Sequence, residues 1–436
     1  MIKRTTFAVC GALFAFFATA CVPDPANPPP GGTSAAASPS PAAQAFWVGA
    51  TITGIEFPLT AENGGRSAGV RIDFLFPGGA AETAGLHEGD VILTYDGKPT
   101  GTAADLIGAT NGAAAKPAPV TLLRDGRPLT LTVTAQPRPV MADTIFQDAR
   151  RKKFEAEQTA AADAQTAGNL KAAFDHDVRA LRLLFGFNDP NATASYNADL
   201  ARIAAILPRL PSPPGSLVQA DLHNRRALAI LKSATTDDDN DRAAREFWAA
   251  IYEAPWLADL YLNLGLVEAK AGYPERATGD LRRYLLLKPK ATDTVAVEQK
   301  IAEQEVLSDE RKPWYPFLTT WTYPDGDVKV IRLRGRQLKV VVTKGGGFVK
   351  TGDVLCSGTI HGSKFQGKCA TYSTDEAVKC FGPKFDVDAE GEIAANTLTI
   401  RNRGDINFNP QTCALNYQRW QVYLSFHPAP SPTTKS

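Results

Sequence analysis

The stretch Ala84–Gly97, AGLHEGDVILTYDG, decides how the N-terminal part of this chain is expected to fold. Its glycines, Gly85, Gly89 and Gly97, stand at turns where the backbone requires a positive φ, which glycine adopts without steric cost. The apolar run Val91–Leu93 is typical of a half-buried β-strand, and the Asp-Gly pair after it is typical of a hairpin turn. The stretch therefore predicts a short helical turn, a tight turn, a strand and a second turn, in that order.

Residues on both sides extend this pattern from Phe46 to about Pro137. A Pro-Gly-Gly loop at Pro77–Ala81 precedes the helical turn, Thr102–Asn111 has the spacing of an amphipathic helix, and Leu122–Val133 reads as a hairpin with Asp-Gly at its turn. These elements, in this order, resemble the PDZ domain in its bacterial, protease-associated form. The resemblance implies a β-rich domain that binds peptides.

In that family, a loop glycine before the first groove strand directs backbone N–H groups at a peptide's terminal carboxylate, and the strand then pairs with the peptide. The resemblance assigns peptide contacts in the loop and strand to Val48, Gly49, Ala50 and Ile52. It assigns the opposite wall of the peptide groove to four residues that share one face of the predicted helix, which are Ala103, Leu106, Ile107 and Thr110. The alternative is that these residues are domain core, because one face of the helix packs inward in either case.

Length and charge set limits on the whole chain. A chain of 436 residues is too long for one core, and about 150 residues per domain predicts roughly three domains. Its 47 basic and 46 acidic residues leave a formal charge of +1, which argues against a general affinity for nucleic acid or for an anionic membrane surface.

The first 20 residues have the pattern of a secretory signal peptide. Lys3 and Arg4 precede an apolar run, Phe7–Ala20, that is shorter than a membrane span. Ala20-Cys21 resembles a bacterial lipobox, in which that cysteine carries the lipid, although Ala18 stands where a Leu is usual. The small residues Ala18 and Ala20 also suit ordinary signal peptidase. Cys10 would leave with the signal peptide and the four C-terminal cysteines form an even set, so Cys21 is left over, which favours lipidation. We therefore expect an exported protein of the bacterial cell envelope, anchored to a membrane by lipid.

The region 141–312 has helical spacing, interrupted by a proline cluster near Pro208. Aligning Ala258–Pro289 with the residues 34 positions earlier places Ala277 on Ala243 and Pro289 on Pro255. This period, with glycines in the first helix and at the turn, resembles the tetratricopeptide repeat. A weaker candidate near Gly168 would bring the number of helical hairpins to three. The resemblance implies a short solenoid that binds other proteins.

Two polar features in this region have alternative interpretations. The acidic run Asp237–Asp241 has the composition of a calcium loop, but it lacks the glycine and the terminal glutamate of that loop, so a helix N-terminal turn is favoured. Asn263 stands where some tetratricopeptide repeats hold a ligand carboxylate, and ordinary surface polarity is the alternative.

Beyond Pro313 the apolar period becomes two, which predicts an antiparallel β domain, either a sandwich or a small barrel. If Gly362-Ser363 is a two-residue turn, Cys356 faces Cys369 across the hairpin, and Cys380 would then pair with Cys413. Four cysteines allow three pairings, and a zinc site is the competing reading.

The predicted fold class is therefore multidomain α+β. The chain divides into a signal peptide (1–20), a disordered Pro/Ala/Ser tether (21–45), a PDZ-like domain (46–140), a helical tetratricopeptide-like region (141–312), a disulfide-containing β domain (313–428) and a tail (429–436).

No catalytic pattern accompanies these modules. The chain has 5 histidines, scattered through regions of different texture, and none stands beside a motif for a catalytic nucleophile. The sequence thus predicts a non-catalytic adaptor for proteins or peptides, without metal or cofactor. The alternatives are a carrier whose β domain binds a lipid or glycan, and an accessory subunit that presents substrates to a separate protease.

Overall fold

The computed structural model describes residues 46–56, 68–111, 116–137, 142–185, 192–212, 214–215, 217–323, 327–345, 349–373 and 375–427. The predicted signal peptide, Cys21, the tether and the 429–436 tail lie outside these ranges. The described residues form two compact units. The N-terminal unit contains those up to 225 together with 248–257, and the C-terminal unit contains 226–247 and 258–427. In the part of the chain described, no helix is both long enough and apolar enough to cross a membrane.

The N-terminal unit begins with a small antiparallel β structure. Its strands are β1 (Phe46–Trp47), β2 (Ala50–Glu56), β3 (Ala68–Leu75), β4 (Val91–Tyr95), β5 (Lys98–Pro99), β6 (Pro117–Arg124), β7 (Arg127–Thr134) and β8 (Gln136–Pro137). The strands pair in the order β2-β3-β4-β6-β7, with β5 on β4, while β1 pairs with β8. Two short helices, α1 (Ala80–Thr83) and α2 (Ala103–Asn111), accompany the sheet.

The turns predicted from the opening stretch are present. Gly85, Gly89 and Gly97 have φ values of 78°, 92° and 73°. The side chain of Asp90, at the second turn, is buried and pairs with Arg124 at 2.7 Å. That ion pair ties the tight turn to the last hairpin of the sheet, so the order of elements predicted from the sequence is confirmed.

Five helices follow the sheet. They are α3 (Ala142–Thr166), α4 (Leu170–Leu184), α5 (Ala192–Ile206), α6 (Val218–Ser233) and α7 (Asp237–Glu253). Gly168, with φ 74°, turns the chain between α3 and α4, and the Asn169 side chain accepts the Ala172 N–H to cap α4. The run Asp237–Asp241 lies in the first turn of α7, where the carboxylate of Asp239 accepts hydrogen bonds from the residues before the helix.

The C-terminal unit contains a helical hairpin, α8 (Ala258–Lys270) and α9 (Pro274–Leu287), followed by α10 (Thr294–Arg311). Gly265 lies at the closest approach of the hairpin. A Cβ added there would meet Leu281 Cγ at 2.8 Å and the Ala277 carbonyl oxygen at 3.2 Å. The small residues that define the repeat in the sequence therefore allow the two helices to pack closely.

After a 3₁₀ segment, Lys312–Phe317, the chain forms one curled sheet of eight antiparallel strands with α11 (Asp375–Phe381) inserted. The strands are β9 (Thr320–Thr322), β10 (Val328–Arg334), β11 (Gln337–Lys344), β12 (Val354–His361), β13 (Lys364–Tyr372), β14 (Lys384–Ala394), β15 (Thr397–Phe408) and β16 (Leu415–Phe426). They follow one another in chain order across the sheet. The ring centroids of Trp321 on β9 and Phe426 on β16 lie 5.2 Å apart, so the first and last strands approach each other. The sheet is therefore curled, although among the described residues no strand pairing joins β9 to β16.

The hairpin β12–β13 has the predicted register. Cys356 faces Cys369, Gly358 faces Gly367, and the strands are joined at Gly362-Ser363. Both predicted disulfides are present, Cys356–Cys369 within this hairpin and Cys380–Cys413 between α11 and the loop before β16.

The turn between β10 and β11 packs against the turn between α8 and α9. The Gly335 N–H donates to the Gly272 carbonyl at 3.0 Å, and Arg311 Nη1 donates to the same oxygen at 2.5 Å. Arg334 Nη2 also donates to Asp241 Oδ2 at 2.6 Å. These bonds explain why the repeat helices and the curled sheet belong to one compact unit.

Candidate functional site

The loop before β2 turns its carbonyl groups inward. The Val48 carbonyl accepts the Ala81 N–H at 2.7 Å, and the Gly49 carbonyl accepts the Phe76 N–H at 2.8 Å. Because both oxygens are bonded to the neighbouring loop, the N–H groups of this loop are directed elsewhere. Within the described residues, the N–H groups of Val48 and Gly49 donate no backbone hydrogen bond. Adjacent free N–H groups beside a left-handed glycine are a geometry that binds carboxylates.

Gly49 is required at this position for two reasons. Its φ is 76°, a value that side chains with a Cβ rarely adopt. An added Cβ would also lie 3.0 Å from Gly79 Cα, in the loop whose N–H groups donate to the inward carbonyls. The loop is therefore held in one shape by close glycine–glycine contact.

Strand β2 provides a free edge next to this loop. Among the described residues, it pairs with β3 on one side and with no strand on the other. Ala50 and Ile52 are half-buried and pack against the domain core. An edge strand with unpaired N–H and C=O groups can accept an extended peptide as an additional strand.

The four helix residues predicted to face the groove do not share one environment. Ala103, Leu106 and Thr110 are buried, and Leu106 belongs to the hydrophobic core of the sheet. The side chain of Ile107, in contrast, is 41% exposed. Leu106 is thus part of the core, Ala103 and Thr110 are buried on the same helix, and Ile107 presents the apolar surface that a ligand could contact. The side chain of Val48 is also buried in the core, so its role in a site is limited to its backbone.

Sequence reasoning did not find a polar group on the opposite face of the β2–β3 pair. Thr53 on β2 lies opposite Arg71 on β3, and the Thr53 hydroxyl donates to Asp73 Oδ2. Arg71 Nε donates to Asp73 Oδ1 at 2.8 Å, and its two Nη atoms contact the Glu253 carboxylate at 2.8 and 2.9 Å. Arg182 on α4 donates to the Tyr252 carbonyl at 3.0 Å and to the Glu253 carbonyl at 2.6 Å.

Burial determines the electrostatics of this group. It raises the pKa of the Asp73 carboxyl above its ordinary value, while Arg71 and the Thr53 hydroxyl act in the opposite direction. Burial would lower the pKa of Arg71, but the carboxylates of Asp73 and Glu253 raise it overall. The pKa of Arg182 is lowered, mainly by burial. The charges therefore depend on each other, since each would be costly to bury alone.

The alternation of polar and apolar residues on β3 was the only sequence signal for this group. Arg71 and Asp73 alternate with buried apolar residues, which predicts a solvent-facing side. In the structure, α3 and the end of α7 cover that side. Phe74 pairs with Thr51, which lies on the same side of β2 as Thr53, and the ring centroid of Phe146 in α3 is 5.2 Å from that of Phe74.

The β domain offers less for a small ligand. Trp314, Trp321, Phe365 and Phe426 are buried in one cluster on the inner side of the curled sheet. Trp420 is 41% exposed on the outer side, where Arg403 lies 4.9 Å from the centroid of its ring. The aromatic residues of the domain thus form packed core and outer surface, which does not favour the carrier hypothesis. In the described ranges, no group of three or more His, Cys, Asp or Glu is placed to hold a metal ion.

No protein-family model matches this chain. Among curated proteins, it is similar to one from Ralstonia nicotianae (strain ATCC BAA-1114 / GMI1000) that is provisionally named a zinc metalloprotease, with 42% identity over 64 residues. The match covers 15% of this chain and 14% of the relative, so the chain spans only a small part of that relative's length.

Solved structures with local similarity include two with a PDZ domain. The HtrA3 PDZ domain bound to a phage-derived ligand has 18% identity, covers 21% of this chain and 85% of its own, and has a TM-score of 0.18. The HtrA-type protease AlgW with a decapeptide has 26% identity, covers 22% of this chain and 30% of its own, and has a TM-score of 0.19. The MamA protein has 17% identity, covers 38% of this chain and 88% of its own, and has a TM-score of 0.18. The structural neighbours therefore include PDZ domains of HtrA proteases and a tetratricopeptide-like protein, each over part of the chain.

Proposed function

We propose that this chain is a non-catalytic, lipid-anchored adaptor of the bacterial cell envelope that binds the C-terminal peptides of other proteins. The observation that carries the proposal is the free edge of β2 beside a loop whose Val48 and Gly49 N–H groups have no backbone partner among the described residues. The helical repeats would supply a second protein-binding surface. An accessory subunit that presents substrates to a separate protease would use the same binding chemistry.

The groove suggests how a peptide would be held. Its backbone would pair with β2 as an added strand, and its terminal carboxylate would accept hydrogen bonds from the loop N–H groups. Its last side chain would lie between Ile52 and the exposed Ile107, which favours an aliphatic residue. His-Glu-x-x-His does not occur in the sequence, and its one Gly-x-Ser-x-Gly, at residues 65–69, leads into strand β3 rather than into the helix of a nucleophile turn, so the proposal includes no peptide hydrolysis.

The direct test selects C-terminal peptides from a displayed library with the full chain and then measures their affinity by calorimetry. Peptides with a free carboxylate and an aliphatic last residue should bind and be recovered uncut. Their amidated forms should bind about tenfold more weakly or worse, because the charge-assisted hydrogen bonds are lost. Equal affinity of the free and amidated forms would contradict the proposed carboxylate site.

Gly49→Ala should weaken peptide binding by about tenfold, because the new Cβ displaces the loop against Gly79 and moves both N–H donors. Gly97→Ala is the matched control. Gly97 also has a positive φ, 73°, but a Cβ there would meet nothing within 4 Å, and its turn lies outside the groove. The control should share the strain cost of about 1–2 kcal/mol in stability and leave the peptide affinity unchanged. Parallel losses of affinity in both variants would indicate general destabilisation and count against the assigned loop.

The anchoring proposal rests on Cys21 and has its own test. Cys21→Ser should abolish labelling by a radioactive fatty acid in cells and move the protein from the membrane to the released fraction. Cys10→Ser should change neither result, because Cys10 lies inside the apolar run of the predicted signal peptide. Retention of the label in Cys21→Ser would show that the lipidation proposal is wrong.

A further inference from the structure

Strand β2, on which the peptide would pair, is bonded to other elements through a side chain on the face away from the groove. Thr53 connects β2 to a group of charged side chains. Its hydroxyl donates to the Asp73 carboxylate, which also accepts a hydrogen bond from Arg71. Strand β2 has only β3 as a neighbour among the described residues, and its pairing with β3 is irregular between Thr51 and Ile52. A side-chain tie at Thr53, just after this irregularity, restrains the part of the edge on which a peptide would pair.

The same group reaches the last turn of α7. Arg71 forms a two-point contact with the carboxylate of Glu253, the final residue of that helix. Arg182 donates to the last two carbonyls of the helix, and its guanidinium lies 5.8 Å from the ring centroid of Tyr252. Cations at a helix C-terminus stabilise the helix end. The end of α7 is therefore held by charges from both the sheet and α4.

The charges of this group depend on one another. Arg71 and Arg182 face Asp73 and Glu253, and the side chain of Glu253 is 6% exposed. Removal of one partner would leave an opposite charge buried without compensation. These four side chains and the Thr53 hydroxyl therefore act as one unit, so a shift of β2 at Thr53 must be accommodated by the others.

We propose that Thr53, Asp73, Arg71 and Glu253 are positioning residues that hold β2 in its peptide-accepting conformation and link its occupancy to the last turn of α7. This inference rests on the proposed function. A strand that is already ordered loses less freedom when a ligand adds to it, so the tie should increase peptide affinity. Because coupling between two sites is reciprocal, a bound peptide should also stabilise the end of α7.

The first arm of the test needs no ligand. In the full chain, Glu253→Gln should increase amide hydrogen exchange in β2 by about fivefold. Lys153→Met is the control, because it removes another ion pair between a helix and the sheet region of the same unit, Lys153–Glu88, without touching β2. Unchanged exchange of β2 in Glu253→Gln, or an equal change in both variants, would overturn the positioning role.

The second arm uses an aliphatic-ended peptide from the display selection. Peptide binding should slow exchange at 250–254 as well as in β2, an effect that a merely structural network would not produce. Thr53→Val should weaken peptide binding about fivefold and abolish the effect at 250–254, whereas Thr53→Ser, which keeps the hydroxyl, should restore both. Protection of β2 without any change at 250–254 would overturn the coupling. If no peptide binds, the proposed function fails and the coupling fails with it, while the ligand-free arm still decides whether the network positions β2.

Discussion

Gly272→Ala is expected to lower the free energy of unfolding of the C-terminal unit by about 3 kcal/mol, through backbone strain and overpacking together. Gly272 has a φ of 77° at the turn between α8 and α9. A Cβ added there would clash with the Gly335 backbone nitrogen and lie 2.8 Å from the Arg334 carbonyl carbon. Both neighbours are backbone atoms, so neither can move aside as a flexible side chain would. The substitution should separate the helical turn from the β10–β11 turn.

Gly168→Ala is a matched control for this result. Gly168 has nearly the same φ, 74°, at the turn between α3 and α4, but a Cβ there would meet nothing within 4 Å. It should cost only the strain of a left-handed alanine, about 1 kcal/mol. Hydrogen exchange resolved by peptide fragment is the suitable measurement, because a chain with two compact units need not unfold in one step. Equal costs for the two variants would show that the contact with Gly335 contributes little.

Gly367→Ala is expected to prevent the hairpin β12–β13 from forming its native register. Gly367 lies directly opposite Gly358. A Cβ added to Gly367 would clash with the Ser357 carbonyl oxygen, lie 2.6 Å from Gly358 Cα and meet the Phe365 ring at 2.9 Å. An aromatic ring over a glycine pair leaves no space for a side chain, and the cost should exceed about 3 kcal/mol.

The measurement for Gly367→Ala is the number of free thiols in the purified, denatured protein, together with mass-spectrometric mapping of its disulfides. Failure of the register should leave Cys356 and Cys369 unpaired or paired with other cysteines. Lys368→Ala tests the adjacent position, where the side chain is exposed on the outer face, and it should keep both native disulfides. Native disulfide pairing in Gly367→Ala would contradict this prediction.

Local features of the fold were predictable because they depend on neighbours in the chain. The positive φ at Gly85, Gly89 and Gly97 follows from glycine at turn positions between apolar runs. The pairing of Cys356 with Cys369 follows from one two-residue turn and the period of two in the strands. In both cases a few adjacent residues contain the required information.

The candidate groove was predictable only in part. Spacing placed Ala103, Leu106, Ile107 and Thr110 on one helical face, but a helical face wide enough to include all four contains both inward and outward positions. The structure buries three of them and leaves Ile107 exposed. The choice between sandwich and barrel was also left open, because the curl of the sheet depends on the distant contact between Trp321 and Phe426.

The sequence by itself determined the turns, the repeat period and the register of the β12–β13 hairpin, since each depends on spacing along a short segment. Only the tertiary structure decided that Arg71 and Asp73 are covered and joined to Glu253, a residue 182 positions from Arg71. The physical reason is that alternation along a strand separates its two faces but does not show whether solvent or another element covers the polar one. That depends on how distant helices pack, and such packing leaves no period in the strand itself.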